Sequence, residues 1–226
     1  MTRFSAPQII GGTVILALVI AFPLVVHQVF PVHVMILVFM FGMLGVAWNI
    51  MGGYAGMFSF GQAAFFGIGA YTSTYLLMTY GVNPWMGLVA GGLAAALVAA
   101  AIGYPCSNLR GHYFAIASIA FAEIVRVVFN NWKLVGGAEG LSLPMLPDSF
   151  VNFMFHSSKL PYYYIILAFL LLSLAVCSYI ATSKMGFYFR AIKESHDVAR
   201  VLGINFVHYR LAAIMISAFL TAMAGT

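Results

Sequence analysis

The sequence predicts an all-α membrane protein, and three observations lead to that prediction. No Asp, Glu, Lys or Arg occurs from Phe4 to Leu109, a stretch too long to form the surface of a water-soluble protein. Apolar residues make up 63% of the chain and charged residues 7%, which excludes a soluble domain and a disordered chain. The apolar runs are continuous and about 20 residues long, as in membrane-spanning helices, and they lack the alternation of barrel strands.

At least six membrane-spanning helices are expected within a single transmembrane domain that covers residues 1–226. The predicted spans are 9–30, 32–51, 62–80, 85–104, 113–131 and 161–181. Proline and glycine residues at Pro31, Gly81, Pro84 and Pro105 supply the breaks between them. A last apolar run begins at Leu211 and holds only about 16 residues, which is short for a span. We therefore expect a chain truncated at its C-terminus and regard six as a minimum.

The distribution of charge predicts the orientation of the chain in the membrane. With the N-terminus in the cytoplasm, the inner basic residues are Arg3, Arg110, Lys184, Arg190, Lys193, Arg200 and Arg210. Only Lys133 and Lys159 then lie outside, which is the usual bias towards positive inner loops. The charged loop 183–210 is thus predicted to be cytoplasmic and the loop 132–160 periplasmic. Aromatic residues would mark the outer interface, namely Trp85, Trp132, Tyr162, Tyr163 and Tyr164.

The charged loop has the pattern of a short amphipathic helix. Its apolar residues recur at helical spacing, at Phe187, Ala191, Val198 and Leu202. Charged residues occupy the other faces, at Arg190, Lys193, Glu194, Asp197 and Arg200. Gly203 then supplies a helix stop. So short a helix needs packing for stability, and the pattern leaves open a protein partner, an anionic lipid surface or a solvated loop.

A glycine-rich segment separates the second and third predicted spans. Its residues favour a broken helix and are Gly52, Gly53, Gly56, Ser59, Gly61 and Gln62. Irregular backbone at membrane depth is tolerated where it is buried in protein or lines a water-filled cavity, and broken helices form substrate sites in many transporters. Close packing of helices through small residues is the alternative. For Gly87 and Gly91, which accompany a run of alanines, we expect such packing.

Two opposite charges lie inside the fifth predicted span. Glu123 and Arg126 are three residues apart, so they can pair on one helix face. Charged residues within a membrane face protein or water rather than lipid. The pair is therefore either a polar part of a translocation pathway, together with Asn130 and Asn131 nearer the outer end, or a structural ion pair that orients the helix.

Several functions are disfavoured by missing motifs. The sequence has no Gly-x-x-x-x-Gly-Lys-Ser/Thr loop, so it cannot bind ATP in that mode. It has neither His-Glu-x-x-His nor Gly-x-Ser-x-Gly, and its six histidines lack metal-ligand spacing. The net charge of +5 follows from the inner-loop bias and indicates no nucleic-acid partner. We expect a non-enzymatic chain that binds no cofactor or metal.

Specific stretches of the sequence resemble a known family. Asp197-Val198-Ala199, three further residues and Gly203 are similar in spacing to the Glu-Ala-Ala…Gly coupling motif of ABC importer permeases, with Asp for Glu and Val for Ala. Four blocks resemble the LivM-type permeases of branched-chain amino acid ABC importers in order and separation: GGYAGMFSFGQAAFFGIGAYT (52–72), LRGHYFAIASIAFAEIVRVVFNNW (109–132), GGAEGLSLP (136–144) and RAIKESHDVARVLGI (190–204).

This resemblance implies a function, partners and site residues. It implies a multi-pass subunit of the bacterial inner membrane that translocates branched-chain or related amino acids. Its partners would be a second, LivH-type permease, two ATPase subunits that carry ATP and Mg, a periplasmic substrate-binding protein and membrane lipid. The implied ATPase-coupling residues are Phe187, Arg190, Ala191, Lys193, Glu194, Asp197, Val198, Ala199, Arg200 and Gly203.

Three different functions remain compatible with the sequence. Urea permeases share much of the pattern, so a neutral solute could take the place of an amino acid. An ion-coupled carrier would need no ATPase, but it would require charged residues near the middle of the membrane, and Glu123 alone qualifies. A membrane scaffold or sensor would transport no solute.

Overall fold

The structure is a computed structural model that describes residues 6–26, 28–107, 109, 111–143, 148–155, 158–195, 199, 203 and 205–226. Within this part the regular elements are helical, apart from an isolated bridge between Ser149 and Met154. The α-helices are α1 (Ala6–Val25), α2 (Val29–Asn49), α3 (Gln62–Tyr80), α4 (Pro84–Cys106), α5 (His112–Asn131), α6 (Leu160–Thr182), α7 (Lys184–Glu194) and α8 (Phe206–Gly225). The all-α prediction is thereby confirmed.

Five of the described helices are long and apolar enough to cross a membrane. They are α2 with the turn that follows it, α4, α5, α6 and α8. The chain is therefore a multi-pass membrane protein. The helix α1 contains a shorter apolar stretch, Ile10–Val25, and the 19-residue α3 includes more polar residues. A total of at least six spans stays a prediction.

The helix boundaries match the apolar pattern closely, with differences at two prolines. The predicted break at Pro31 is wrong: α1 ends at Val25, and Pro31 lies in the first turn of α2. Proline is tolerated there because the N–H groups of a first turn have no partner within the helix. Pro105 likewise lies inside α4, one residue before its end, rather than beyond it.

The last helix lies at the centre of the fold, where α8 packs against α2, α3 and α4. Small residues allow the backbones to approach closely, since a Cβ atom on Gly69 would lie 2.2 Å from the Ala222 carbonyl oxygen. A Cβ atom on Gly87 would lie 2.6 Å from Ser73 Oγ, and one on Gly91 would lie 3.0 Å from the Gly69 carbonyl oxygen. The packing role expected for Gly87 and Gly91 is confirmed.

The start of α8 corrects the prediction of a short final run. The helix begins at Phe206 and has 20 residues, enough to span a bilayer. Its fifth residue is Arg210, which is only 3% exposed. The guanidinium group donates hydrogen bonds to the carbonyl oxygens of Ser107 and, at 3.1 Å, of Leu109. These bonds hold the guanidinium group against the end of α4. Arg210, which was predicted to belong to the charged loop 183–210, lies in α8 instead.

The aromatic residues at the opposite end of the bundle from α7 have different roles. Tyr163 is fully buried, and its hydroxyl donates to the Val19 carbonyl oxygen of α1 at 2.6 Å. Tyr163 therefore packs inside the bundle rather than facing lipid, and its place at the outer interface stays a prediction. The Trp85 indole donates to the Phe150 carbonyl oxygen at 2.9 Å and so holds the loop segment 148–155. Two 3₁₀ turns, Lys133–Val135 and Gly137–Glu139, form the earlier part of this loop.

Candidate functional site

The chain between α2 and α3 is not α-helical. α2 continues into a π-helical turn, Ile50–Tyr54, and residues 55–61 then run without helix to the start of α3. The Trp48 indole donates to the Ser59 carbonyl oxygen at 2.9 Å, and the Phe60 N–H donates to Ser118 Oγ of α5 at 2.9 Å. Side chains from two helices thus bind backbone groups that a continuous helix would pair internally. We call residues 50–61 the break.

Three glycines of the break lie in close contact with neighbouring side chains. A Cβ atom on Gly52 would lie 2.8 Å from the Trp48 ring, and one on Gly53 would lie 1.9 Å from Asn49 Oδ1. Gly56 has a φ angle of +69°, and a Cβ atom there would lie 2.8 Å from Lys193 Cγ. These glycines therefore allow the break to pack against α2 and α7. They do not line the open groove described below.

The end of the break and the start of α3 belong to a buried polar network. Ser59 is buried and accepts a hydrogen bond from the Gly61 N–H at 3.1 Å. The Gln62 side chain donates to Ser217 Oγ at 2.9 Å and accepts from Thr221 Oγ1 at 2.6 Å. Ser217 donates in turn to the Ala47 carbonyl oxygen at 2.7 Å. The network therefore joins α2, α3 and α8.

Two members of this network were not predicted from the sequence. Ser217 and Thr221 are both fully buried, yet neither is among the predicted site residues. Their spacing of four places both hydroxyl groups on one face of α8. Two hydroxyl residues at that spacing within an apolar span are the signal that could have found them, because a polar face in a membrane helix requires a polar partner.

The two charges predicted to pair inside the fifth span do so. Arg126 Nε donates to Glu123 Oε2 at 2.9 Å, and its terminal amino group donates to Oε1 at 2.5 Å. Glu123 lies eleven residues after the start of α5, which corresponds to about 16 Å along the helix axis and hence to mid-membrane depth. The two side chains remain 55% and 64% exposed. A mid-membrane ion pair is thus open on the surface of this chain.

The ion pair lines a groove between α3 and α5 with a volume of about 440 Å³. Tyr71 and Asn130 add polar groups to the groove, whereas most of its other lining residues are apolar. Phe60 contributes to the wall, so the groove adjoins the break. Asn131 is not among the lining residues, and its amide donates to the Val127 carbonyl oxygen of its own helix at 2.8 Å. The structure therefore brings together Glu123, Arg126 and Asn130 of the predicted pathway residues.

The predicted coupling helix is shorter than expected. α7 ends at Glu194, because Ser195 has extended backbone with a φ angle of −158°. The prediction of one helix that continues to Gly203 is therefore wrong. Ala199 is buried, and Gly203 is exposed with a φ angle of +71°. The remaining predicted residues of this stretch, Asp197, Val198 and Arg200, lie outside the described residues, as does Leu202.

The faces of α7 also differ from the prediction. Its buried face consists of Gly186, Phe189 and Ile192, which pack towards the bundle. Phe187 is 62% exposed, whereas Ala191 is half-buried, so the two do not form one apolar face. A bulky apolar side chain thus projects from a helix that is otherwise polar on its outer side.

Two basic residues of α7 bind the protein's own backbone. The Arg190 guanidinium donates to the Ala181 carbonyl oxygen of α6 at 2.7 Å and to the Gly186 carbonyl oxygen at 3.2 Å. Lys193 Nζ donates to the Gly53 carbonyl oxygen in the break at 3.0 Å. Glu194 is exposed. Among the described coupling residues, Phe187 and Glu194 therefore face outwards, and Lys193 connects α7 to the break.

Comparison of the sequence with known protein families finds one that matches most of the chain. A family model of the permease component of the branched-chain amino acid transport system matches residues 30–226. The chain therefore belongs to this family of transport-system permease components.

Individual relatives include both kinds of permease in that system. The chain is 31% identical to the high-affinity branched-chain amino acid permease protein LivM of Escherichia coli K12 and 30% identical to LivM of Salmonella typhimurium, over 99% of its own length. It is 26% identical to LivH of Salmonella typhimurium over 82% of its length. The chain spans 60% of the length of the two LivM proteins. No solved structure matches it.

Proposed function

We propose that this chain is the LivM-type permease subunit of an ABC importer that carries branched-chain or related amino acids across the bacterial inner membrane. The observation that supports this most is the contact between α7 and the break. The helix α7, with a projecting Phe187, is hydrogen-bonded through Lys193 to the break, and Phe60 of the break lines the mainly apolar groove that holds the ion pair. Such an arrangement can carry movement at the surface of the protein to the membrane interior.

The proposed mechanism is alternating access driven by separate ATPase subunits. These subunits hold ATP and Mg, and Phe187 of α7 inserts into a groove on one of them. Glu194, together with Asp197 and Arg200, fixes the orientation of that contact. When the ATPase pair closes, α7 moves and Lys193 shifts the break. This movement changes the balance between the two states of the pore, one open to each side of the membrane.

We propose a different role for Lys193 and Arg190 from that of the outward-facing residues of the loop. Both side chains bind carbonyl oxygens of this chain, Lys193 in the break and Arg190 at the end of α6. We therefore assign them to the inner contact of α7, which transmits its movement. The outward residues of the loop make the ATPase contact.

A second, LivH-type permease would complete the pore on the α3 and α5 side. Of all described spans, α5 is among the least buried, and large apolar side chains such as Ile116, Ile119 and Ile124 remain exposed along it. An exposed mid-membrane ion pair on the same side also requires protein or water as its neighbour. Protein packed against α5 satisfies both requirements, while lipid satisfies only the first, and we assign this place to the partner permease.

The periplasmic binding protein would dock on the loop 132–160. Several described residues of this loop combine apolar side chains with exposure, as Leu134 and Phe150 do. Trp85 holds the second part of the loop to the bundle, so contact there can reach the helices. This placement requires the N-terminus and α7 to be cytoplasmic.

Transport by the full-length protein in a reconstituted assembly tests the proposal. The chain would be purified with its co-encoded permease and ATPases, placed in liposomes that contain ATP, and supplied with the binding protein and radiolabelled leucine or urea. We expect ATP-dependent leucine uptake. Uptake of urea alone would change the substrate class. Uptake driven by an ion gradient without ATP, or no flux of any solute, would contradict the proposed importer.

A further inference from the structure

We propose that Glu123 and Arg126 form the charged half of a subsite for an α-amino acid zwitterion, with the amino acid's side chain placed against the apolar wall of the groove. The substrate carboxylate binds Arg126, and its ammonium group binds Glu123. The inference rests on the proposed function, and it deepens that proposal because it selects a zwitterion over a neutral solute such as urea.

The ion pair has free hydrogen-bonding capacity for such a ligand. Arg126 uses one N–H of Nε and one of a terminal amino group to bind Glu123. A guanidinium group has five N–H donors, so three others can bind a carboxylate. Each carboxylate oxygen of Glu123 has a further lone pair for an ammonium group. The pair therefore presents a cation and an anion side by side. The cation can bind the carboxylate of a zwitterion while the anion binds its ammonium group.

The groove suits an amino acid with a branched apolar side chain. Its volume of about 440 Å³ lies within the range of small-molecule sites, about 300–1,000 Å³. Phe60, Ile119 and Phe129 supply apolar surface next to the charges. Asn130 and Tyr71 lie at the same groove and can bind the remaining polar atoms of the ligand. A few polar groups within an apolar wall are the usual composition of such sites.

The location of the pair favours a ligand over a purely structural role. A structural ion pair that joins two helices is expected between them, whereas both of these charges come from α5 and remain more than half exposed. They lie at mid-membrane depth, where substrate sites of transporters occur. Phe60 of the break lines the same groove, so a shift of the break would alter the wall of the subsite.

Exchange of the two charges distinguishes a role in substrate recognition from a structural role of the ion pair. In the Glu123→Arg, Arg126→Glu double variant, an i, i+3 ion pair can still form but its direction is reversed. Because an L-amino acid has a fixed handedness, it cannot match the reversed charges and also keep its side chain on the apolar wall. The control is Leu97→Ala, which truncates an exposed apolar side chain of α4 outside the groove and away from α3 and α5.

The measurements are leucine uptake by the complete assembly in liposomes and ATP hydrolysis stimulated by the binding protein. We expect the swap to lower uptake by at least roughly tenfold, about 1.4 kcal/mol, while stimulated hydrolysis persists and the Leu97→Ala assembly matches the wild type in both. Wild-type uptake by the swap would overturn the subsite. So would loss of both activities, since the pair would then be structural. If the wild-type assembly fails to take up leucine, the proposed function itself is wrong.

Discussion

At the scale of single residues, Lys193 has the most informative contact. The sequence places it among the charges of an amphipathic helix, where an outward orientation is expected. Its ammonium group instead donates to the Gly53 carbonyl oxygen, and its stem passes over Gly56. A carbonyl oxygen left without a partner by irregular backbone attracts a cationic donor. One side chain thus connects α7 with the break.

Replacement of Lys193 by Met tests this contact. Methionine keeps an unbranched stem over Gly56 but removes the hydrogen bond to Gly53. We expect stimulated ATP hydrolysis to persist and leucine uptake per ATP hydrolysed to fall by roughly threefold or more, because movement of α7 is transmitted less completely. Lys184→Met, at the exposed first position of α7, is the control. An unchanged ratio of uptake to hydrolysis in Lys193→Met would exclude the transmitting role.

At the scale of elements, α8 is the helix that joins α2, α3 and α4 in the core. It contributes Ser217 and Thr221 to the buried network, and it packs against α2, α3 and α4. The Gln62 side chain finds both of its partners on this helix. Because unpaired polar groups are costly within a membrane, this network fixes the register of α3, which begins at Gln62 without a continuous helix before it.

Ser217→Ala should destabilise the bundle. It removes the hydrogen bond to Ala47 and leaves the Gln62 amide without its acceptor, at a cost of about 1 kcal/mol for each hydrogen bond in a membrane interior. We expect a lower midpoint of thermal unfolding in detergent, followed by tryptophan fluorescence. Thr182→Ala removes an exposed hydroxyl that bonds only within α6, and it should leave the midpoint unchanged. Equal midpoints for the two variants would contradict the role of the network.

A further prediction concerns the acidic residues of the loop 183–210 and the coupling of ATP hydrolysis to uptake. Glu194 is exposed on α7, and Asp197 follows it closely in sequence. In the assembled complex, Glu194→Arg with Asp197→Arg should uncouple ATP hydrolysis from uptake, because opposite charge at the proposed ATPase contact would repel its present partners. Leucine uptake and phosphate release from the same liposomes are the measurements. Normal transport by the correctly assembled double variant would exclude this surface as the ATPase contact.

At the scale of the whole molecule, the bundle has two unlike ends. One end carries α7 and the buried Arg210, and the other carries the loop segment 148–155 held by Trp85. The excess of basic residues at the α7 end predicts that this end is cytoplasmic. The open ion pair lies between the ends, on the side that α5 leaves uncovered.

Cysteine accessibility tests the orientation. In full-length protein with Cys106 and Cys177 replaced by Ser, single cysteines would be introduced by Glu194→Cys and Leu134→Cys. A membrane-impermeant maleimide added outside spheroplasts should label the cysteine at position 134 and leave the one at 194 unlabelled until the membrane is opened. Labelling of position 194 from outside would reverse the orientation and remove the proposed ATPase contact.

The sequence alone determined the fold class and most helix boundaries. Continuous apolar runs of bilayer length predict spanning helices, and α3 begins and ends where the pattern predicts. The spacing of Glu123 and Arg126 predicted their pairing, because residues three apart meet on one helix face. These features depend on neighbours along the chain, so composition and periodicity are sufficient to find them.

Only the tertiary structure decided which polar groups meet across helices. The contact of Lys193 with the break, the burial of Arg210 and the contacts of Ser217 with Gln62 and Ala47 join residues that are more than a hundred positions apart. Hydropathy assigns such side chains to loops or to the polar face of a helix, because it measures transfer to a uniform solvent. A buried polar group is stable only where a specific partner satisfies it, and only the packed bundle determines that partner.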